Sequence, residues 1–292
     1  MSEPLRSRTA YEGESKRDLS FPPLPDRLTV PVYDNHTHLE IADGENPLAP
    51  EENLRRATEV GLAGVVQVGT DLETSRWSAD LADRDRRVLA AVAIHPNEAP
   101  MLAEAGVLDE HLEGIAELAT RDRVRAVGET GMDFFRTGKG GREPQLRSFE
   151  AHISIAKAND IALQIHDRDA HSEVAATLLR VGAPQKTVLH CFSGDAAFAR
   201  VCIDNGWYMS FAGTVTFGNA AGIREALSIA PRELILVETD SPFLTPAPFR
   251  GRPNGSYMVP YTLRFMAEHL GVDVDELAAD IASNTESVYG QW

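Results

Sequence analysis

The sequence predicts an α/β protein of the (β/α)8 barrel class, a single domain with its functional site at the carboxyl-terminal face of the strands. Short apolar runs rich in Val, Ile and Leu alternate with helical segments between residues 30 and 290. Runs that are almost unbroken by polar residues are typical of parallel strands covered on both faces. Eight such strands within about 250 residues are the usual size of this barrel.

The eight predicted strands are separated by segments long enough for one helix each. In chain order they read VPVYDNH (30–36), GVVQVG (64–69), VLAAVAIH (88–95), VRAVGE (124–129), IALQIH (161–166), KTVLHC (186–191), WYMSFAG (207–213) and LILVET (234–239).

The segments between the strands carry helical signals. Residues 50–61 begin with proline and two acids and end on a glycine, a pattern typical of helix termini. The segment 71–85 begins at Asp71, an N-cap candidate, with Thr74 three residues later. In the segment 142–160, apolar side chains recur at helical spacing and form one stripe: Leu146, Phe149, Ile153 and Ala156.

An open doubly wound sheet is the alternative fold, since it is also built from βα units. Such a sheet usually has a glycine-rich phosphate turn after its first strand, whereas here the first strand ends in DNHTHLE (34–40). No internal repeat or low-complexity linker indicates a second domain. We therefore predict one barrel domain over 29–292. Residues 1–28, charged and poor in branched apolar side chains, are predicted to be a flexible N-terminal tail.

Composition narrows the classes of function. The formal net charge is −16 and the pI is about 5.0, which disfavours wrapping of long nucleic acids but leaves room for a local cationic groove. The two cysteines are too few for a disulfide framework. No apolar run approaches the roughly 18 residues of a membrane span, and no secretory leader is recognisable. We expect a cytoplasmic protein without a membrane partner or an obligate protein partner.

Several predicted strands end in side chains that ligate metals. Because the carboxyl ends of barrel strands meet at one mouth, these side chains are expected to lie together. Alternation along the first strand would also place Asp34 on the face of its two histidines. The residues concerned are His36 and His38, Glu129, His166, His190, Glu238 and Asp240.

A divalent metal centre explains this polar cluster better than a structural role does. Unpaired buried charges are costly, and a bound cation removes that cost. Four imidazoles and two or three carboxylates exceed the three protein ligands of a single open zinc site. They match two cations that share a bridging carboxylate and a bridging water. Mixed His and carboxylate ligands suit Zn, Mn or Fe, and Mg remains possible where a substrate phosphate supplies oxygens.

With these residues in place, the sequence resembles the TatD family of metal-dependent deoxyribonucleases, among the amidohydrolase-like barrels. The resemblance covers roughly residues 32–290, and the matching stretches occur in the order of the family. They are DNHTHLE, AIHPNEA, AVGETGMDFFR, QIHDRDA, LHCFSG, VETDSPFLTP and RGRPNGSYMVP, with SNTESVYG as the closing helix.

The resemblance implies a role for each matching residue. Glu129 and Asp240 would be catalytic, as the metal bridge and as the group that handles the proton of the bridging water. His95 would lie near the substrate phosphate. The implied ligands are His36, His38 and Asp240 on the first cation, Glu129 between the cations, and His166 and His190 on the second cation.

The chain departs from the family pattern at two positions. Glu40 stands where the family usually has an aspartate, and Asn97 stands where it often has a second histidine. Asn97 can donate to a phosphate oxygen but does not titrate near neutral pH. Glu129 occupies the place where many related amidohydrolases carry a carbamylated lysine, which favours a glutamate-bridged site.

The resemblance implies hydrolysis of DNA phosphodiesters by a water that two cations activate, with removal of nucleotides from the 3′ end. DNA would be bound through local contacts, short or single-stranded. Phe134 and Phe135 are candidates for base stacking, although packing beneath their loop is an equal expectation for one of them. The predicted substrate contacts, besides His95, are Arg136, Arg168, Ser193 and Arg250.

Two other functions fit the same ligands. The first is a different hydrolase with the same metals, such as a D-aminoacyl-tRNA deacylase or a small-molecule amidohydrolase, because one fold and site type serves many substrates. The second is a binding protein with a relict site, against which the apparently complete ligand set argues. Loss of Arg136 or Arg250 should impair a nuclease and spare an amidase.

Overall fold

The computed structural model describes residues 4–8 and 17–292. Its ten strands are β1 (Arg6–Ser7), β2 (Val32–Thr37), β3 (Ile41–Ala42), β4 (Leu62–Val68), β5 (Val88–Val92), β6 (Val124–Asp133), β7 (Ala162–Arg168), β8 (Thr187–Leu189), β9 (Tyr208–Phe211) and β10 (Ile235–Val237). Its α-helices are α1 (Pro50–Glu59), α2 (Leu72–Arg84), α3 (Ala99–Glu104), α4 (Leu108–Leu118), α5 (Arg142–Asn159), α6 (His171–Val181), α7 (Ala196–Asp204), α8 (Ala221–Ile229), α9 (Val259–Leu270) and α10 (Val274–Tyr289). Among the described residues, no helix has both the length and the apolar character needed to cross a membrane.

Eight parallel strands form a near-closed barrel, which confirms the predicted fold class. Their order is β2-β4-β5-β6-β7-β8-β9-β10, so each strand pairs with its neighbour in the chain, apart from the two short strands β1 and β3. Helices lie between successive strands, because parallel neighbours need a crossover connection. β1 and β3 pair with each other as a separate two-stranded sheet.

The barrel strands are apolar on both faces because both faces are buried. In β5, Leu89 and Ala91 belong to a small cluster inside the barrel, together with side chains from five other strands. Val88, Ala90 and Val92 belong to the larger cluster between the strands and the helices. This two-sided burial is the physical reason that the strands read as apolar runs rather than as alternating ones.

Hydrogen bonds between the first and last barrel strands bring the ends of the sheet together. Thr37 forms an isolated parallel bridge with Ser241, and the His38 N–H donates to the Ser241 carbonyl at 2.8 Å. The buried Asp34 carboxylate accepts from the Thr239 N–H at 2.8 Å and from the Thr239 hydroxyl at 2.6 Å. Asp34 therefore joins the first barrel strand to the segment that follows the last one.

Local helix signals in the sequence correspond to observed helix ends. Asp71 caps α2, and its carboxylate accepts from the Thr74 N–H at 2.7 Å while the Thr74 hydroxyl accepts from the Asp71 N–H at 3.0 Å. Asp195 caps α7, and its carboxylate accepts from the backbone N–H groups of Ala197 and Phe198. On α5, the stripe from Phe149 to Ala156 is buried, whereas Arg147 is exposed and pairs with Asp109.

Several described residues of the segment predicted as a tail contact the barrel. Leu28 is buried, and its N–H donates to the Val60 carbonyl at 2.9 Å. The Pro22 carbonyl accepts from the Tyr257 hydroxyl at 2.9 Å, and Arg17 pairs with Asp43 at 2.6 Å. Residues 1–3 and 9–16 of the predicted tail lie outside the described part of the chain. These contacts were not apparent from composition, because they pair residues that are distant in sequence.

Candidate metal centre and catalytic cleft

The carboxyl ends of the barrel strands open into a cleft with a volume of about 1310 Å³, larger than the roughly 300–1,000 Å³ of a pocket for a small ligand. His38, His95, Glu129, His166, His190 and Asp240 all line it. The structure thus brings together candidate ligands from β2, β6 and β7 and from the segments just after β2, β8 and β10, although β6 continues four residues beyond Glu129 to Asp133. His36 lies behind them and is fully buried.

Glu129 lies at the centre of this cluster, and its two carboxylate oxygens face different pairs of histidines. Oε1 lies 2.6 Å from His166 Nδ1 and 2.8 Å from His190 Nε2. Oε2 lies 3.7 Å from the Nε2 atoms of both His36 and His38. A carboxylate placed in this way can serve two positions at once.

Asp240 completes the side of the cluster formed by the two histidines of β2. Its Oδ1 lies 3.8 Å from His36 Nε2 and 3.5 Å from His38 Nε2, and those two nitrogens are 3.2 Å apart. Asp240 adopts a φ of 53°, a left-handed conformation that is uncommon for a non-glycine residue. The Asp240 N–H donates to the His36 carbonyl at 3.0 Å, which holds the carboxylate over the cluster.

Outer contacts orient three of the histidines. His38 Nδ1 donates to the Val68 carbonyl at 3.0 Å, so Nε2 faces the cluster. His190 Nδ1 bonds to Glu238 at 3.2 Å, and His166 Nε2 bonds to Asp133 at 3.2 Å. Carbonyl and carboxylate partners of this kind set the tautomer and orientation of histidines that bind metal. Glu238 thus orients a histidine.

The protonation equilibria of the cluster reflect its paired charges. Burial raises the pKa of the Glu129 carboxyl, but His190 and His95 outweigh burial and hold that pKa well below its usual value. Burial lowers the pKa of His190, but Glu129 and Glu238 outweigh it and raise that pKa well above its usual value. Burial likewise opposes the protonation of His38, yet Asp240 and Glu40 raise its pKa to about 10. The protons on His190 and His38 therefore lie where a bound metal cation would displace them.

The donor set fits a divalent cation. Three groups each supply one potential ligand atom from every member, with those atoms within 4.8 Å of one another: His36, His38 and Glu129; His36, His190 and Glu238; and His95, Glu129 and His166. Two buried atoms in the cluster, His36 Nδ1 and Glu238 Oε2, lack a hydrogen-bond partner. Imidazole and carboxylate donors suit Zn and Mn, which is consistent with the sequence-based expectation.

His95 is oriented to donate rather than to ligate. Its Nδ1 accepts from the Asn97 N–H at 3.0 Å, so the neutral ring carries its proton on Nε2. That nitrogen lies 3.4 Å from Glu129 Oε1 and faces the cleft. The Asn97 side chain donates to Asp133 at 3.2 Å and accepts from Thr137 at 3.2 Å. Asn97 thus helps to position neighbouring groups.

The predicted substrate contacts fall in two places. Arg136, Arg168 and Ser193 line the cleft. The Ser193 hydroxyl donates to the Asp167 carbonyl at 3.0 Å. Arg250 does not line the cleft, and its guanidinium lies 4.3 Å from the centre of the Phe217 ring.

The two phenylalanines after β6 have different environments. Phe134 is partly buried against the core, and the Arg142 guanidinium lies 3.7 Å from its ring centre. Phe135 is 63% exposed at the cleft, and the Arg168 guanidinium lies 3.9 Å from its ring centre. Only Phe135 therefore presents a ring face that a nucleobase can reach.

Sequence reasoning missed several cleft residues, among them Asp133, Arg6 and Arg8. Asp133 ends β6, accepts from His166 and from the Arg136 N–H, and has a lowered pKa because these hydrogen bonds outweigh its burial. Its spacing of four residues from Glu129 could have indicated from the sequence that Asp133 lies in the cleft. Arg6 and Arg8 also line the cleft, and no local pattern in the sequence indicated this.

A (β/α)8 barrel with a buried cluster of histidines and carboxylates at its strand ends, open to a broad cleft, defines a metal-dependent hydrolase. Such sites use cations to activate water and to polarise the bond that is cleaved. The chain belongs to the TatD family, since the model of the family described as TatD related DNase matches residues 33–290.

Similar proteins support both the class of metal-dependent hydrolase and the membership of the TatD family. An uncharacterized metal-dependent hydrolase TatD of Mycobacterium tuberculosis is 42% identical over 263 residues, covering 89% of this chain and 98% of its own. The 3′-5′ ssDNA/RNA exonuclease TatD of Citrobacter rodentium is 31% identical over 247 residues, covering 82% and 91%. The crystal structure of YjjV, a TatD homologue of Escherichia coli, superposes with a TM-score of 0.79 at 27% identity, covering 88% and 97%.

Proposed function

We propose that this protein is a deoxyribonuclease that hydrolyses phosphodiesters of single-stranded DNA from the 3′ end, using two divalent cations. The observation that carries the proposal is the division of the Glu129 carboxylate, whose Oε1 faces His166 and His190 and whose Oε2 faces His36 and His38. One carboxylate between two histidine pairs fits a hydrolytic site that holds two cations. The substrate class is supported by the similarity to the 3′-5′ ssDNA/RNA exonuclease TatD of Citrobacter rodentium.

The candidate ligands divide into two sets. His36, His38 and Asp240 would hold the first cation, His166 and His190 the second, and Glu129 both. When bound, Zn, Mn or Mg would lower the pKa of a water between them and offset the charge of the phosphate. The residues of the chain position that water and the substrate.

The side chains around the cluster would supply the remaining steps. Asp240, held over the His36 and His38 rings, would accept the proton of the attacking water. His95 carries a proton on Nε2 and would donate it in a hydrogen bond to a non-bridging phosphate oxygen. Ser193, Arg136 and Arg168 would contact neighbouring phosphates, and Phe135 would stack on a base, since stacking tolerates any sequence.

The test uses metal-loaded protein with labelled single-stranded DNA, the same DNA as a duplex, and a D-aminoacyl-tRNA. We expect shortening of the single strand from its 3′ end. Glu129→Ala should reduce the rate by more than about 100-fold, the upper end for groups that only support a ligand. Glu286→Ala is the control, because that carboxylate bonds to Tyr33 at 2.6 Å at the opposite end of the barrel. DNA left intact by protein that releases the amino acid from the tRNA would overturn the proposal.

A further inference from the structure

The short strand β1 precedes the part of the chain that the family model covers, yet it borders the catalytic cleft. The family model begins at residue 33, whereas Arg6, Ser7 and Arg8 line the cleft together with His38 and Asp240. The cleft of this protein therefore includes a wall that the shared family domain does not supply.

Backbone pairing fixes β1 beside the first metal ligands. β1 is parallel to β3, with Arg6 opposite Ile41. The Arg6 N–H donates to the Glu40 carbonyl at 3.1 Å, and the Arg8 N–H donates to the Ala42 carbonyl at 2.8 Å. β3 begins only three residues after His38, so this pairing places both arginines at the edge of the metal centre.

The Arg6 side chain is anchored by a buried acid and still reaches the cleft. Arg6 Nη2 donates to Glu40 Oε1 at 3.0 Å and to the Thr70 hydroxyl at 2.9 Å. Glu40 is fully buried, and its other oxygen accepts from Gln67 at 2.7 Å. Glu40 Oε1 is also 3.6 Å from His38 Nδ1. Both Arg6 bonds use one nitrogen, and its side chain remains 39% exposed.

The anchoring acid is one of the two positions where the chain departs from the family pattern. Buried carboxylates are retained when a cation and hydrogen bonds satisfy them, and Glu40 has both through Arg6 and Gln67. The resemblance implies a shorter aspartate at this position. The longer side chain of Glu40 contacts Arg6 and His38 with the same oxygen.

The charge of the cleft explains why the anchored Arg6 matters for an anionic substrate. The described residues that line the cleft include four arginines, Arg6, Arg8, Arg136 and Arg168, alongside five acids. The chain as a whole carries −16, so an anionic substrate depends on cations placed locally. Two of the four, Arg6 and Arg8, come from β1 and the residue that follows it.

The two arginine pairs flank the mouth from opposite sides. β1 lies beside the end of β2, while Arg136 follows β6 and Arg168 ends β7, the fourth and fifth strands of the eight counted from β2. A single nucleic acid strand that enters the metal centre would pass between the pairs. Backbone phosphates of that strand would meet guanidinium groups on both sides of the mouth.

We propose that Arg6 contacts a backbone phosphate of the DNA strand, and that Glu40 positions it for this contact. The inference rests on the proposed nuclease function and adds to it a phosphate subsite built by residues outside the family domain. A guanidinium suits this role because it bonds to phosphate oxygens through several donors.

The test measures binding of a fluorescein-labelled, cleavage-resistant phosphorothioate single-stranded 12-mer to the metal-loaded full chain, together with steady-state cleavage of the natural 12-mer. Arg6→Ala should weaken binding about tenfold and reduce the salt slope by about 0.7, the value for one phosphate contact on a single strand. KM should rise more than kcat falls. Arg6→Lys should keep the salt slope while losing part of the affinity.

The matched control is Arg232→Ala. Its side chain has the same 39% exposure as that of Arg6 and also pairs with acids, Glu276 and Asp280. It lies just before β10, at the opposite end of the barrel from the cleft. This variant should bind the 12-mer as the wild type does, which separates a local contact from a change in net charge.

Three outcomes would overturn the inference, and each is distinct. Equal binding by Arg6→Ala and Arg232→Ala would show that Arg6 touches no phosphate. Loss of bound metal in Arg6→Ala to the level of His38→Ala would assign Arg6 to the metal centre instead. A wild-type protein that neither binds nor cuts the 12-mer would reject the proposed function itself, whereas the first two outcomes leave that function intact. Arg6→Lys and thermal unfolding of each variant identify a folding defect.

Discussion

Glu238 is a buried carboxylate whose role depends on its neighbours. Its Oε1 accepts from His190 Nδ1 at 3.2 Å and from the Cys191 N–H at 2.9 Å. These bonds direct His190 Nε2 towards Glu129, from which it lies 2.8 Å away. Glu238 therefore acts on the metal centre through His190.

We expect Glu238→Gln to weaken binding of one cation by about tenfold, as loss of a partner that orients a ligand usually does. The amide still fills the space but no longer carries the negative charge opposite the His190 ring. Calorimetric titration of metal-free protein with Zn or Mn measures the effect. If both cations bind the variant with wild-type affinity, Glu238 has no role in orienting the ligand.

His152 is a buried histidine outside the cleft, and it couples stability to pH. Its Nε2 accepts from the Ile94 N–H at 3.1 Å, and its Nδ1 bonds to the Thr130 hydroxyl at 2.9 Å. Burial lowers its pKa from 6.5 to about 4. The unfolded chain thus binds this proton more readily than the folded protein, and the stability contributed above pH 6.5 is lost as the pH falls towards 4.

We call the difference in free energy of unfolding between the wild type and His152→Gln the stability gap. We expect this gap to narrow by about 2 kcal/mol between pH 7.5 and pH 5, at about 1.4 kcal/mol for each pH unit below 6.5. The glutamine does not titrate, so the wild type alone loses this contribution. Urea unfolding of both proteins at several pH values gives the gap. A gap that stays constant across this range would contradict the assignment of His152 as a buried neutral ring.

At the level of single elements, the capping box of α2 shows how much a local motif contributes. The Asp71 carboxylate and the Thr74 hydroxyl satisfy backbone N–H groups that the first turn would otherwise leave unpaired. The sequence predicted the start of α2, because the capping box lies within four consecutive residues, 71–74.

We expect Asp71→Ala to lower the free energy of unfolding by about 1 kcal/mol, the usual cost of losing an N-cap. Asp80→Ala on the same helix is the control, since Asp80 is 58% exposed and pairs only with the surface residue Arg121, which should change stability by less than about 0.5 kcal/mol. Urea denaturation measures both. Equal losses in the two variants would mean that the cap contributes nothing specific.

At the scale of the whole molecule, the charge distribution limits how a polyanion such as the proposed DNA substrate could bind. The chain carries a net charge of −16, and the described residues that line the cleft include four arginines alongside five acids. Few phosphates can therefore be neutralised at once.

We expect the affinity for a single-stranded 12-mer to fall with salt with a log–log slope no steeper than about −3, since each contact on a single strand contributes about −0.7. Fluorescence anisotropy between 50 and 300 mM KCl gives this slope. A slope steeper than about −5 would require a long tract of contacts outside the cleft and would contradict local binding.

The fold was predictable because its signals are short in range and repeated. Parallel strands buried on both faces read as apolar runs, and helix ends such as those at Asp71 and Asp195 are set by a few neighbouring residues. The candidate ligands were predictable for a topological reason, since strand ends of a barrel converge whatever the angles between its helices.

The sequence by itself thus determined the barrel and the set of candidate metal ligands. Only the tertiary structure decided which oxygen of Glu129 faces which histidine pair, that Arg250 lies on Phe217 outside the cleft, and that Arg6 enters it. Arg6 bonds to Thr70, 64 residues away. Such contacts depend on the relative placement of distant segments, which periodicity and local motifs do not encode.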